Sequence, residues 1–555
     1  MIAAGALFAL LALAPIVAMF GRIGAEDVAG LLEPRTWSLL GRTFGLGLGV
    51  AAIALLFGVP FGFLTARTDL PGARLLRLAG VLPLFLPTLL IAMTWSEFSD
   101  VRGAPMAIWV LGLANFPLVA VFTARAAERI DERLEETARS VGGLRAVLRT
   151  DLGLILPSAL CGACLAFTFA VNDFAVPDYV SSVGPKFNVY ADEIFSKWNQ
   201  FERPGLAAAT SLPLIVLTLL ALVPALALRR RGSLGTLRGG FRPPRSMRLG
   251  PWRWPAFAAM SAIVLVATLM PLGRITWEAS AGSWRWSAPA VLATLDGREL
   301  PTPQEITELD LAGEAPVLDF EQRLSAAPAV IGSQLAQIVE AFRDAIERTK
   351  DDVRRSIVYS VGAATMALFL GLILGHAIER ARSRWVGRGL ELASLLPLAA
   401  PATLFGIGAI VVWSRPETQA IYTSEWMAPM VFTGRLATFA VLILAGATAS
   451  LAPELEDVAA TAGVGPAKRL FTVVAPNMLG SMAGAWTLVF AFAMRELDAG
   501  ILVPAANKTA IVRVFNGVHF GRDTYVFALS LLLVFLIVLP GLLWMLFSRR
   551  KLEMV

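Results

Sequence analysis

The sequence predicts an all-α polytopic membrane protein made of two parallel six-helix repeats. Three observations carry that prediction. The chain is 56% hydrophobic and 16% charged, with a mean hydropathy of +0.66, which is far from the balance of a soluble domain. Apolar runs of about 20 residues, the length that crosses a bilayer, recur along it. A short polar pattern between such runs is written twice, as Glu135-Glu136-Thr137-Ala138-Arg139-Ser140-Val141-Gly142 and as Glu456-Asp457-Val458-Ala459-Ala460-Thr461-Ala462-Gly463.

Twelve runs qualify: 2–20, 43–65, 79–98, 105–124, 157–177 and 206–228, then 256–273, 356–378, 391–413, 430–451, 476–494 and 524–547. Without water in the hydrocarbon, backbone groups pair internally, so each run is read as a helix. Landmarks repeat with nearly one offset. Leu82-Pro83-Leu84 with Pro87 is echoed by Leu396-Pro397-Leu398 with Pro401. Basic hinges precede both, with Arg67, Arg74 and Arg77 in one half and Arg380, Arg382, Arg384 and Arg388 in the other. The organisation is therefore a first repeat over 1–228, a basic linker over 229–254 and a second repeat over 255–555.

Basic residues set the orientation. Residues 229–248 hold seven arginines and no acid, which by the positive-inside rule places the linker in the cytoplasm. The hinges, the tail Arg549-Arg550-Lys551 and both repeated acidic–glycine loops then fall on that side, as do both termini. Matching loops on one side make the repeats parallel. Arg22, on the outer side, runs against the rule, but Glu26, Asp27 and Glu33 dilute it. The net charge of +6 is thus mostly topology. The arginines form short juxtamembrane clusters suited to anionic lipid head groups. They lack the aromatic-interleaved basic face of a nucleic-acid binder.

The halves differ between their first two helices, where the second half carries an extracytoplasmic insert over 274–355. Its beginning, through Pro301, Pro303 and Pro316, reads as irregular. Its end reads as a helix with Leu335, Ile338, Val339, Phe342 and Ile346 on one stripe, expected to pack.

The twin loops carry a resemblance. An acid six residues before a glycine, an alanine four before it and a proline further on resemble the EAA loop of permease subunits of bacterial ABC importers. Thr137 and Val458 replace that family's first alanine. The proline also comes later after Gly142 (Pro157) than after Gly463 (Pro476). With its fused double length, the chain most resembles permeases of the ferric-iron type, a group close to the thiamine, polyamine and phosphonate permeases. The resemblance implies a type I importer fold in the bacterial inner membrane. It also implies two ATP-binding subunits and an extracytoplasmic binding protein as partners. Glu136, Ala138, Gly142, Asp457, Ala459 and Gly463 become the coupling residues. Glycine suits a bend between two short helices, small alanines allow close approach, and acids near a helix start suit its dipole.

No G-x-x-x-x-G-K-[ST] phosphate cradle is present, so ATP and magnesium are expected on the partners and no cofactor on this chain. Cys161 and Cys164 lie in an apolar run and read as packing residues. With two histidines a resident metal cage is not expected. Asp173 and Asp178, after the fifth helix, and Glu496 and Asp498, after its counterpart, are candidates for the substrate pathway. Charge at membrane depth is costly, and a hard cation prefers carboxylate oxygens. An ion-coupled secondary transporter with parallel repeats is the alternative of another class.

Overall fold

Proline and glycine decide where the apolar runs break, and the breaks shape the molecule. The computed structural model describes residues 2–552 apart from 30, 32, 202, 232–241, 313–315, 317, 503, 505–506 and 521–523. The first half contains α1 (Ala3–Phe20), α2 (Pro34–Arg67), α3 (Ala73–Leu84), α4 (Thr88–Phe98), α5 (Ala104–Glu128), α6 (Glu132–Asn172) and α7 (Pro204–Leu228). The second contains α8 (Gly250–Ala279), α9 (Phe320–Glu379), α10 (Arg384–Ala399), α11 (Ala402–Trp413), α12 (Met427–Ala449), α13 (Glu454–Thr461), α14 (Pro476–Met494) and α15 (Thr524–Phe547). Among the described residues, ten helices are long and apolar enough to cross a membrane, or up to twelve if each of two bent pairs is one span.

The bent pairs correct the expected straight helices at 79–98 and 391–413. α3 and α4 meet at 98°, and α10 and α11 at 99°. Both breaks fall at the repeated proline motif. Pro87 and Pro401 have no N–H to continue a helical ladder, and each bars the residue before it from helical angles.

The halves exchange their first helices. α1 packs on α11 and α12 of the second half. A side chain on Gly434 would come within 2.1 Å of the Leu11 carbonyl, and one on Gly408 within 2.4 Å of the Pro15 carbonyl, so glycine is what admits α1 there. Reciprocally, Met260 and Val264 of α8 share a core with Phe61, Leu76 and Phe116. The Thr268 hydroxyl donates to the Ala79 carbonyl at 3.1 Å. Neither half closes its core alone.

α8 also fixes the relative sense of the halves. It starts beside α2, where the Leu249 N–H donates to Asp69 at 2.8 Å, and it ends where Ser280 meets Gln334 of α9 at 3.3 Å. α9 then runs back to Arg380. The loops after α5 and α12 therefore share one end of the molecule, here the loop end. Of the basic linker, 232–241 lie outside the described residues. The rest threads along this end, with the Met247 N–H donating to the Arg67 carbonyl at 2.7 Å and Arg245 paired with Glu132.

The insert is more helical than its prolines predict, with helices at Gly282–Arg285, Ala288–Leu295 and Pro303–Ala312. Proline suits a first helical turn, and Pro289 and Pro303 take that role. The insert has a small core of Val291, Leu318, Ala326 and Val330. The predicted stripe packs only in part, with Phe342 half-buried against the main core. Ala341 and Ala345 are buried, whereas Leu335 is 63% and Val339 70% exposed.

Candidate coupling loops and translocation cavity

Each loop is pinned by an arginine from the end of the helix that opens its repeat's parallel set. In the first half Arg67, the last residue of α2, donates to Glu135, with Asp151 3.9 Å away. All three side chains are buried, with Arg67 2% exposed. In the second half the Arg380 Nε donates to Glu456 at 2.8 Å, and its terminal nitrogen reaches the Leu451 carbonyl at 3.0 Å. The His376 Nε2 meets the other Glu456 oxygen at 2.8 Å. Burial works against the Glu456 carboxylate, but Arg380 and His376 outweigh it and hold its pKa below the usual glutamate value.

The anchors are Glu135 and Glu456, the residues just before the predicted Glu136 and Asp457, which point to solvent. Sequence reasoning passed over them although the acid doublet and the arginine hinge were both repeated. Ala138 and Ala459 are half-buried. The bend expected at Gly142 is shared. Gly142 sits at φ −147°, ψ 20°, and the left-handed angle falls on Gly143 at φ 63°, ψ −153°. In the second loop Gly463 itself takes φ 79°. Around the bends, Val141 is 84% and Val458 69% exposed, and Leu144 is exposed too. Both loops therefore present apolar side chains to solvent beside an anchored, rigid base. Such a surface fits a protein partner.

A cavity of about 100 Å³ lies between the halves. Asp173, Glu496 and Asp498 line it, together with Arg435, Arg495, Thr88 and Asn115. Asp178 does not line it; it lies half-buried on the helix Ala175–Ser182. Two of the predicted acids are not bare oxygens. Asp173 accepts from the Thr88 hydroxyl at 3.0 Å and from the Val176 N–H at 2.9 Å. Glu496 pairs with Arg435 and accepts from the Ala499 N–H at 3.2 Å. Arg495 donates to the carbonyls of Leu84 and Leu86. The 98° bend frees those carbonyls, and a freed carbonyl at membrane depth needs a donor. Arg435 is the functional candidate that sequence reasoning missed. Its signal was a lone charge inside the apolar run 430–451.

Exchanged halves, twin anchored loops at one end and a charged cavity between the halves define a transporter permease. The chain belongs to the binding-protein-dependent transport system inner membrane component family, whose model matches residues 58–234 and 367–553. Both matches leave out the exchanged helices α1 and α8. The chain is thus a multi-pass inner-membrane protein of the ABC importer class, which works with ATP-binding subunits and a binding protein. A molybdate/tungstate transport system permease protein of Thermococcus kodakarensis is 27% identical over 221 residues, 37% of this chain and 84% of that protein. The molybdenum transport system permease protein ModB of Escherichia coli K12 is 32% identical over 165 residues, 25% of this chain and 71% of that protein. A probable ABC transporter permease protein of Sinorhizobium fredii is 24% identical over 444 residues, 78% of this chain and 69% of that protein. Where these names state a cargo it is molybdate, tungstate or molybdenum, and not the ferric iron that the resemblance implied.

Proposed function

We propose that this one chain is the whole translocating part of an ATP-driven importer. The carrying observation is the pair of loops at one end, each fixed to its own half through Arg67–Glu135 or Arg380–Glu456. One ATP-binding subunit, carrying ATP and magnesium, docks on each loop in the cytoplasm, where the linker arginines also place both termini. Glu136, Ala138, Gly142, Asp457, Ala459 and Gly463 lie on these docking segments. A binding protein delivers cargo at the opposite end. ATP binding draws the two loops together and opens the cavity outward; hydrolysis and release reset it. The subunits do this work because they bind the two states differently.

For the cargo we favour a small oxyanion. Arg435 and Arg495 stand in the cavity, and the relatives with a named cargo are named for molybdate, tungstate, molybdenum or sulfate. Ferric iron is the second reading, supported by Asp173, Glu496 and Asp498 in the same lining. The test is affinity purification of the full chain from its native membranes. We expect an ATP-binding subunit at two copies per chain by native mass spectrometry. ATPase stimulation by the cognate binding protein, loaded in turn with molybdate, sulfate or ferric iron, then separates the cargoes. Purification without any nucleotide-binding partner would overturn the reading.

A further inference from the structure

Three phenylalanines cross the interface between the halves beside the cavity. Phe169 comes from α6, Phe439 from α12 and Phe492 from α14. The ring centroids of Phe169 and Phe439 are 5.9 Å apart, those of Phe169 and Phe492 5.5 Å, and those of Phe439 and Phe492 5.0 Å. All three rings line the cavity. Each also stands four residues from one of its charged groups: Phe169 with Asp173, Phe439 with Arg435, and Phe492 with Glu496.

Chain direction gives these pairs their meaning. α6 and α14 run away from the loop end, so Asp173 and Glu496 follow their phenylalanines outward. α12 runs toward the loop end, so Arg435 precedes its phenylalanine. On α12 the ring therefore lies about one turn, roughly 5.4 Å, nearer the loop end than Arg435, and Asp173 and Glu496 lie just beyond the outer ends of α6 and α14, past their phenylalanines. The charges form one layer and the rings a second layer beneath it. Arg495 joins the two, its guanidinium 4.9 Å from the Phe492 centroid.

We propose that Phe169, Phe439 and Phe492 form the inner gate of the pathway, a dry aromatic layer that closes the charged cavity toward the loop end. A hydrophobic constriction blocks ions by excluding their water. One ring belongs to the first half and two to the second. A relative movement of the halves therefore parts the layer without unfolding any helix. The charged layer holds the ion until the rings separate.

This rests on the permease reading, and the test keeps the two apart. The complete complex is reconstituted into proteoliposomes, and passive potassium and chloride fluxes are measured without ATP. We expect the wild type to be tight. Phe439→Ala/Phe492→Ala should leak while still co-purifying with the ATP-binding subunits. Phe439→Leu/Phe492→Leu, which keeps the layer apolar and filled, should stay tight. Phe169→Ser, altered from the other half, should leak as well and covers the case in which the double variant fails to assemble. Assembled alanine and serine variants as tight as the wild type would overturn the gate. The permease reading fails on a different result, the absence of ATP-driven uptake by the wild type, which the leak assay does not use.

Discussion

Arg435 and Glu496 are ion-paired in the cavity between the halves, with the arginine two turns inside α12 and the glutamate just beyond the end of α14. Both side chains are largely withdrawn from solvent, Glu496 being 7% exposed. Desolvating such a pair consumes much of its attraction, but breaking it strands a charge.

The first prediction follows from that asymmetry. Arg435→Gln should destabilise the chain by about 3–5 kcal/mol, because Glu496 is left buried without its cation. Arg435→Met combined with Glu496→Leu should recover most of the loss. Thermal unfolding of the detergent-purified protein measures both, and equal losses in the single and double variants would contradict the pairing.

The second concerns the bends. A valine at Gly143 or Gly463 must adopt a left-handed backbone that costs about 1–3 kcal/mol, so each loop should reorganise locally. Gly143→Val and Gly463→Val are expected to insert normally, yet to co-purify with less ATP-binding subunit. Gly142→Ala should act more weakly, through a 2.8 Å approach to the Ala146 methyl group. Quantitative pull-down checks this series, and full recovery of the partner by both valine variants would contradict it.

The third is a pH dependence. The Glu456 pKa is depressed below its ordinary 4.5 on folding. Its contribution is therefore fully present above that value and is lost as pH falls through the folded pKa. Protease sensitivity of the second loop should rise as pH falls through the folded pKa of Glu456, below the ordinary 4.5. Glu456→Gln should be sensitive throughout. A wild-type loop that stayed closed throughout that descent would contradict the assignment.

How much of this was legible in the chain differs from element to element. The apolar runs and the duplicated loops stood out because bilayer length and repetition are one-dimensional signals. The bends after Leu84 and Ala399 were marked by proline motifs that were seen as a repeat and not read as breaks. The exchange of α1 and α8 left no local trace. For α1 it depends on Gly408 and Gly434 meeting a helix remote in sequence. Partner choice was hidden for the same reason: nothing near Glu135 distinguishes it from Glu136 until Arg67 arrives from α2.

The fourth prediction separates the two faces of the insert. Leu335→Gln with Val339→Gln should change stability by no more than about 0.5 kcal/mol, as for exposed positions. Val330→Asp should unfold the insert, because Val330 packs with Val291 and Ala326 and a buried lone carboxylate has no partner. Limited proteolysis between α8 and α9 reads both. A large effect of the glutamine pair would show that the exposed stripe is covered.

The most direct test of the account is ATP-driven uptake by the reconstituted complex of this chain, its ATP-binding subunits and its binding protein. The expected result is accumulation of the delivered ion that requires ATP, persists when proton and sodium gradients are collapsed, and disappears in Glu135→Ala/Glu456→Ala. Uptake that follows an ion gradient, ignores ATP and survives loss of both anchors would contradict it.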